Sequence, residues 1–270
     1  MEKVQFTEEQ STMLATLYGR ALDARSAEPI LGDPTAQEAV ARIDYDFGKF
    51  GMGPDQALAI ALRARVFDRW TRDFIDLHPE GMVVHLGCGM DGRVYRVDPP
   101  SSVLWFDVDY PETIDVRKRL YPERASYQQL GSSVLDLNWL DYLPADRPTL
   151  VLGEGLTMYL DPVGAPALLS ALVRYLPSGE MAFDFYSRSG LKAQKLNSII
   201  RRAGATLTWG IDDASELEPL GLKPAERFGV LDFITPEVLE RASRGIRAQM
   251  WLARRIPYVA NMGQLLRFTF

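Results

Sequence analysis

The run Val83-Val84-His85-Leu86-Gly87-Cys88-Gly89-Met90-Asp91-Gly92 constrains this chain more than any other stretch. An apolar segment enters a glycine pair. A second apolar segment, Trp105-Phe106-Asp107-Val108-Asp109, ends on an acid 20 residues after Gly89. Only a backbone without Cβ turns that tightly and lies bare against a ligand. The acid closing the second run can accept both hydroxyls of a ribose. Such a pattern opens the nucleotide site of an α/β sheet, at the carboxyl ends of its strands.

Two cofactors use this arrangement, NAD(P) and S-adenosylmethionine. Gly87, Gly89 and Gly92 stand at G-x-G-x-x-G spacing, which fits a dinucleotide loop. However, a pyrophosphate rests on the N-terminus of the following helix, and Asp91 puts a carboxylate there. S-adenosylmethionine brings no phosphate but an ammonium and a sulfonium, which an acid suits. Short β-rich runs predict strands near 82–86, 103–108, 126–131, 148–153, 180–186, 226–232 and 264–270. The first four end close to Asp91, Asp109, Asp136 and Glu154, so four carboxylates are expected to converge on one crevice. The ligand's own carboxylate needs a cation, and the basic cluster just upstream of the first strand is Arg63-Ala64-Arg65.

Five ordered motifs reinforce the loop: Leu62-Arg63-Ala64-Arg65-Val66-Phe67-Asp68, Leu86-Gly87-Cys88-Gly89-Met90-Asp91, Trp105 to Pro111, Ser132 to Leu140, and Gly153-Glu154-Gly155-Leu156-Thr157-Met158-Tyr159-Leu160. With Tyr18 to Asp23 and Gly32 to Ala36 upstream, the chain resembles the leucine carboxyl methyltransferase-like family, in particular its polyketide O-methyltransferases of the tetracenomycin type. The resemblance implies a Rossmann-like class I methyltransferase fold with a seven-stranded, mostly parallel sheet behind a helical N-terminal cap. It implies Arg65 on the methionine carboxylate, with Arg63 its rival, Gly87 and Gly89 under the methionine, and Asp109 on the ribose. It implies Asp136 and Leu137 at the adenine and Glu154 by the ammonium. Cys88, Tyr110 and Gly155 complete the cofactor-binding set, and Tyr159 is a candidate substrate contact. Gly92 stands where many members carry threonine, and His85 where many class I methyltransferases carry an acid.

Several of these residues have plainer readings. Asp109 can cap a helix starting at Pro111. Arg65 can pair with Asp68 at i+3 as a surface ion pair, and Asp136 can be a turn residue. His85 reads as a core residue, His78 as inert, and Cys88 as a small residue that fits the loop. Phe47, Phe50, Met52 and Trp209 read as core or as the wall of an acceptor pocket.

A chain of 270 residues suffices for one α/β domain, taken as 81–270, behind a helical segment, 1–80. The glycines and proline of Phe47 to Pro54 argue against a helix there, whereas Leu191–Ala203 reads as one. A net charge of −6 and a pI near 5.1 argue against a nucleic-acid surface. The start, Met1 to Phe6, lacks the apolar core of a signal peptide, and no apolar run reaches ~18 residues, so a cytoplasmic location is expected. A single cysteine excludes an internal disulfide. The expected activity is methyl transfer from S-adenosylmethionine to an oxygen, foremost a carboxylate, of a small polyketide-like or aromatic metabolite. The alternatives are an NAD(P)-dependent oxidoreductase and an inactive cofactor-binding protein.

Overall fold

The computed structural model describes residues 8–194, 206–233, 235–256 and 260–270. Three helices open it: α1 (Glu8–Ala24), α2 (Pro34–Arg42) and α3 (Pro54–Leu77). There follow β1 (Met82–Leu86), α4 (Arg93–Val97), β2 (Leu104–Asp109), α5 (Pro111–Leu120), β3 (Tyr127–Gly131) and β4 (Thr149–Gly153). Then come α6 (Gly164–Tyr175), β5 (Gly179–Tyr186), α7 (Arg188–Gln194), β6 (Lys223–Gly229), the short helices Pro236–Arg241 and Arg244–Ala253, and β7 (Gly263–Thr269).

All seven strands form one sheet in the order β3-β2-β1-β4-β5-β7-β6. The five strands β1 to β5 run parallel, and β7 lies antiparallel between β5 and β6. The chain winds outward from β1 to β3, then returns to place β4 on the other side of β1. That reversal opens a crevice beyond the carboxyl ends of β1 and β4.

Alternation builds the two faces of the sheet. Met82, Val84 and Leu86 pack with Val151 against Leu168, Leu169 and Leu172 of α6. Val83, Trp105, Leu150 and Leu152 face Val66, Phe67, Trp70 and Phe74 of α3. Helix α3 thus shares one core with the strands.

Three local expectations differ from the structure. Phe47–Phe50 forms one 3-10 turn, with Asp46 accepting from the Gly48 amide at its start. The strand expected near 226–232 runs three residues earlier, because Val230–Phe233 turn and Asp232 Oδ2 accepts from the Gly229 amide at 2.7 Å. Of the helix expected over 191–203, α7 covers the start, and residues 195–203 lie outside the described residues.

Candidate active site

The loop after β1 reverses through two left-handed glycines, Gly87 with φ +58° and Gly89 with φ +48°. A Cβ on Gly87 would stand 2.9 Å from Leu156 Cδ1, and one on Gly89 would stand 3.0 Å from Met13 Cγ. Strand β2 ends beside this loop on Asp109, whose Oδ2 accepts from the Gly89 amide and Oδ1 from the Tyr110 amide, both at 2.7 Å. Burial pushes the Asp109 carboxyl up, and these backbone donors pull against it. Gly92 follows as the N-cap of α4, and a Cβ there would lie 2.0 Å from Thr35 Oγ1 of α2. The missing side chain is what admits α2 to the loop.

Behind the loop lies a continuous buried charge network. Arg63 of α3 donates through Nε to Glu154 Oε1 at 2.8 Å and through Nη1 to Asp184 Oδ2 at 3.0 Å. Arg93 reaches Glu154, Asp68 and Asp91 at 2.5, 2.8 and 3.0 Å. Arg96 joins Asp68, Asp91 and Asp33, and Arg20 of α1 lies 3.6 Å from Asp33. Burial alone would raise the Glu154 and Asp91 carboxyls, but the guanidiniums hold Glu154 below the ordinary range and Asp91 well below it. At Asp184 burial prevails, and its carboxyl is pushed up despite Arg63. The other oxygen of Asp184 accepts from the Gly155 amide at 2.7 Å.

Three cavities meet over the loop. A crevice of about 140 Å³ is floored by Gly87, Cys88 and Gly89 and walled by Arg20, Arg63, His85 and Glu154. A limb of about 180 Å³ continues it past Asp109 and Tyr110 to Ser133, Val134 and Leu135. On the other side an apolar cavity of about 490 Å³ is built from Met52, Ile60, Phe185, Phe228, Phe233 and Met250. Thr12, Thr16, Arg63, Met158, Tyr159 and Tyr186 line both the crevice and the apolar cavity, so the two share a wall.

Of the residues singled out in the sequence, Gly87, Cys88, Gly89, Asp109, Tyr110, Glu154, Gly155 and Tyr159 line the crevice or its limb. Three do not. Arg65 is half-exposed, faces Glu237 at 3.4 Å and lines a separate cavity on the outer side of α3, while Arg63 lines the crevice. Its expected partner Asp68 is buried and belongs to Arg93 and Arg96. Asp136 is exposed and caps a 3-10 turn by accepting from the Asn138 amide at 3.3 Å, and Leu137 points outward with it. Ser133, Val134 and Leu135, just before them, line the limb. The expected ring of acids is therefore altered. Asp91, Asp109 and Glu154 converge, and two of these three are neutralised by arginines. Arg20, Asp184 and Tyr186 escaped the sequence reading. An acid between Phe183 and Phe185, at the end of an apolar strand, is the signal that could have revealed Asp184.

Comparison with known proteins agrees with this architecture. The model of the leucine carboxyl methyltransferase family matches residues 13–173. The chain belongs to the leucine carboxyl methyltransferase family. It is 40% identical over 271 residues, covering 100% of this chain and 99% of the relative, to a tetracenomycin polyketide synthesis O-methyltransferase of Streptomyces glaucescens. It is 35% identical, with 85% of each chain covered, to an S-adenosyl-L-methionine-dependent methyltransferase of Gibberella zeae. In fold it resembles a DUF574 family protein of Streptomyces avermitilis, with a TM-score of 0.61 at 14% identity over 95% of this chain and 96% of that one. A mycolic acid cyclopropane synthase, solved with S-adenosylhomocysteine, gives 0.52 at 14% identity over 98% of each chain. This family member is an S-adenosylmethionine-dependent O-methyltransferase. The oxidoreductase alternative gains no support.

The crevice suits that cofactor. Its bare glycine floor lets a ligand approach the backbone closely, its charge is balanced rather than phosphate-binding, and Arg63 lines the crevice while Asp109 lines its limb. No helix among the described residues is long and apolar enough to cross a membrane, and none of their side chains form a metal-binding cluster.

Proposed function

We propose that this methyltransferase esterifies a carboxylate of a small polyketide-like or aromatic metabolite. The reading rests on one observation, the wall common to the cofactor crevice and the apolar cavity. The cavity's apolar lining suits fused or aromatic rings. The shared wall carries hydroxyls and a guanidinium, which are hydrogen-bond donors. It carries no free base, because both carboxyl oxygens of the adjacent Asp184 are already engaged.

Residue roles follow from placement. Gly87 and Gly89 underlie the methionine portion, Asp109 takes the ribose hydroxyls, and Ser133 to Leu135 flank the adenine. Arg63, not Arg65, attracts the methionine carboxylate. Helix α1, through Thr12, Met13 and Thr16, covers the crevice as part of the N-terminal cap. A biosynthetic role in the cytoplasm accords with this assignment.

When bound, S-adenosylmethionine supplies an electrophilic methyl carbon, and its carbon–sulfur bond breaks with the electron pair left on sulfur as the acceptor oxygen attacks. A carboxylate is already ionised at neutral pH and needs no proton removed. The protein's task is alignment, which can lower a barrier by ~7–11 kcal/mol. Burial pushes the Tyr186 phenol up to about 12, so at neutral pH its hydroxyl is a neutral donor toward an acceptor carboxylate. Tyr159 stands beside it on the same wall.

The test is a mass screen for added methyl groups with aromatic carboxylic acids and their phenolic counterparts, followed by mild alkali. Methyl esters released by alkali are expected. An alkali-stable methyl ether as the sole product would refute the reading.

A further inference from the structure

Strand β6 stops early, and that stop builds a partition. Asp232 Oδ2 holds the Gly229 amide, so Val230–Phe233 turns back instead of extending the sheet. The turn sets the Phe233 ring edge-on against Phe228 of β6, with centroids 5.4 Å apart and planes at 61°. Both rings pack at the border of the core that α3 shares with the sheet. From α3 the Arg69 guanidinium lies over Phe228, 5.3 Å from its centroid, and also pairs with Glu226. Edge-to-face and cation–π contacts favour a defined ring geometry, so Phe228 is held from two sides.

The two rings stand between cavities of nearly equal size. On one side lies the apolar cavity of about 490 Å³ that shares a wall with the cofactor crevice. On the other lies the cavity outside α3, of about 530 Å³. Leu62, Phe228 and Phe233 line both. Leu62 is buried in α3, whereas both phenylalanines are half-buried. The outer cavity is apolar at Val66 and Val238 and charged at Arg65, Arg72 and Asp76. Pockets for drug-sized ligands span about 300–1,000 Å³, so either cavity is large enough alone. Joining them would roughly double the room open to an acceptor.

We infer that Phe228 and Phe233 determine acceptor size: they close the acceptor cavity against the outer one and exclude fused-ring acceptors too large for the inner cavity alone. The inference rests on the reading that the apolar cavity holds the acceptor, but not on which acceptor oxygen is methylated. Neither ring lines the crevice or its limb, so the pair acts on acceptor choice and not on cofactor binding.

Calorimetry on the protein saturated with S-adenosylhomocysteine reads this directly, with aromatic carboxylic acids of two to five fused rings and the matching phenols as probes. Phe233→Ala should raise the affinity ratio of the largest to the smallest probe by at least about tenfold. That is the low end of the roughly 10–200-fold by which an apolar pocket discriminates one methylene. Phe233→Trp should lower the ratio instead. Each ratio is taken within one variant, so a partial loss of folded protein cancels. If the alanine variant fails to fold, Phe233→Leu and Phe228→Leu carry the same sign. S-adenosylhomocysteine should bind every variant within about twofold of wild type. Ratios within about twofold of wild type in both the alanine (or leucine) and tryptophan variants would overturn the inference. Shifted ratios with methyl transfer to the phenols alone would sink the carboxylate reading and leave the size limit standing. Binding of no probe to any variant would remove the acceptor from this cavity and the inference with it.

Discussion

Replacing Arg63 by alanine probes the network and the cofactor site at once. The guanidinium sits between Glu154 at 2.8 Å and Asp184 at 3.0 Å, carboxylates only 4% and 8% exposed. Removing one partner of a buried pair costs about 3–5 kcal/mol, because the remaining charge is stranded. Arg63 itself is 24% exposed, so water recovers part of this. Glu154 also keeps Arg93 at 2.5 Å, so the stranded charge is chiefly that of Asp184. A loss of about 2–4 kcal/mol is expected, or roughly 5–15 °C in melting temperature for a domain of this size. Cofactor affinity should fall separately, by about 1.5–3 kcal/mol, the worth of a hydrogen bond to a charged group. Arg65→Ala is the control. Its pair with Glu237 spans 3.4 Å between two half-exposed side chains, so it should cost under about 1 kcal/mol and leave binding unchanged. Scanning calorimetry gives the first quantity and titration with S-adenosylhomocysteine the second. If Arg65→Ala weakens binding while Arg63→Ala does not, the assignment of the inward-facing arginine is wrong.

Other substitutions and conditions extend the argument. Gly87→Ala forces a side chain into φ +58° and sets a Cβ 2.9 Å from Leu156 Cδ1. It should destabilise by about 1–2 kcal/mol and weaken cofactor binding, and adding Leu156→Ala should relieve the clash but not the backbone strain. A double variant with wild-type stability would contradict this. Acid should unfold the protein through the charge network. Burial raises Asp91 and Glu154, but the arginines overcome it and hold both carboxyls low, so the unfolded chain binds more protons as pH falls through about 4. The stability these groups add at neutral pH should thus fade below that point, with a shallower slope in Asp91→Asn. A melting temperature constant from about pH 6 to 3 would speak against it. Burial also pushes the Cys88 thiol well up, so iodoacetamide should leave the native protein unmodified at about pH 8 and label it only after denaturation. Rapid native labelling would show that the loop opens.

The central sheet could be read from the sequence because β1, β2, β4 and β5 are short, mostly apolar runs, whereas the polar β6 lies three residues before its expected place, and the glycine loop could be read because only glycine turns as Gly87 and Gly89 do. Asp109 could be read because it ends such a run. Asp136 is less legible, because a turn-capping acid and a ligand-binding one look alike in sequence, and here Asp136 caps a turn by accepting from the Asn138 amide. Asp184 was hidden by its own strand, where Phe183, Phe185 and Tyr186 read as core.

The choice between Arg63 and Arg65 was within reach of helical periodicity. Counting along α3, Arg63 shares a stripe with Ile60, Phe67, Trp70 and Phe74, which includes three of its most buried positions, whereas Arg65 shares one with Arg69, Arg72 and Asp76. An arginine on an apolar stripe must find carboxylates where the helix meets the sheet, since a buried guanidinium without a partner is too costly to keep. The acids able to meet it stand at strand ends, Glu154 after β4 and Asp184 within β5. Those same ends frame the crevice. The periodicity of α3 therefore singles out the arginine that lines the crevice, and a local pairing of Arg65 with Asp68 at i+3 carries less information than the stripe each residue occupies.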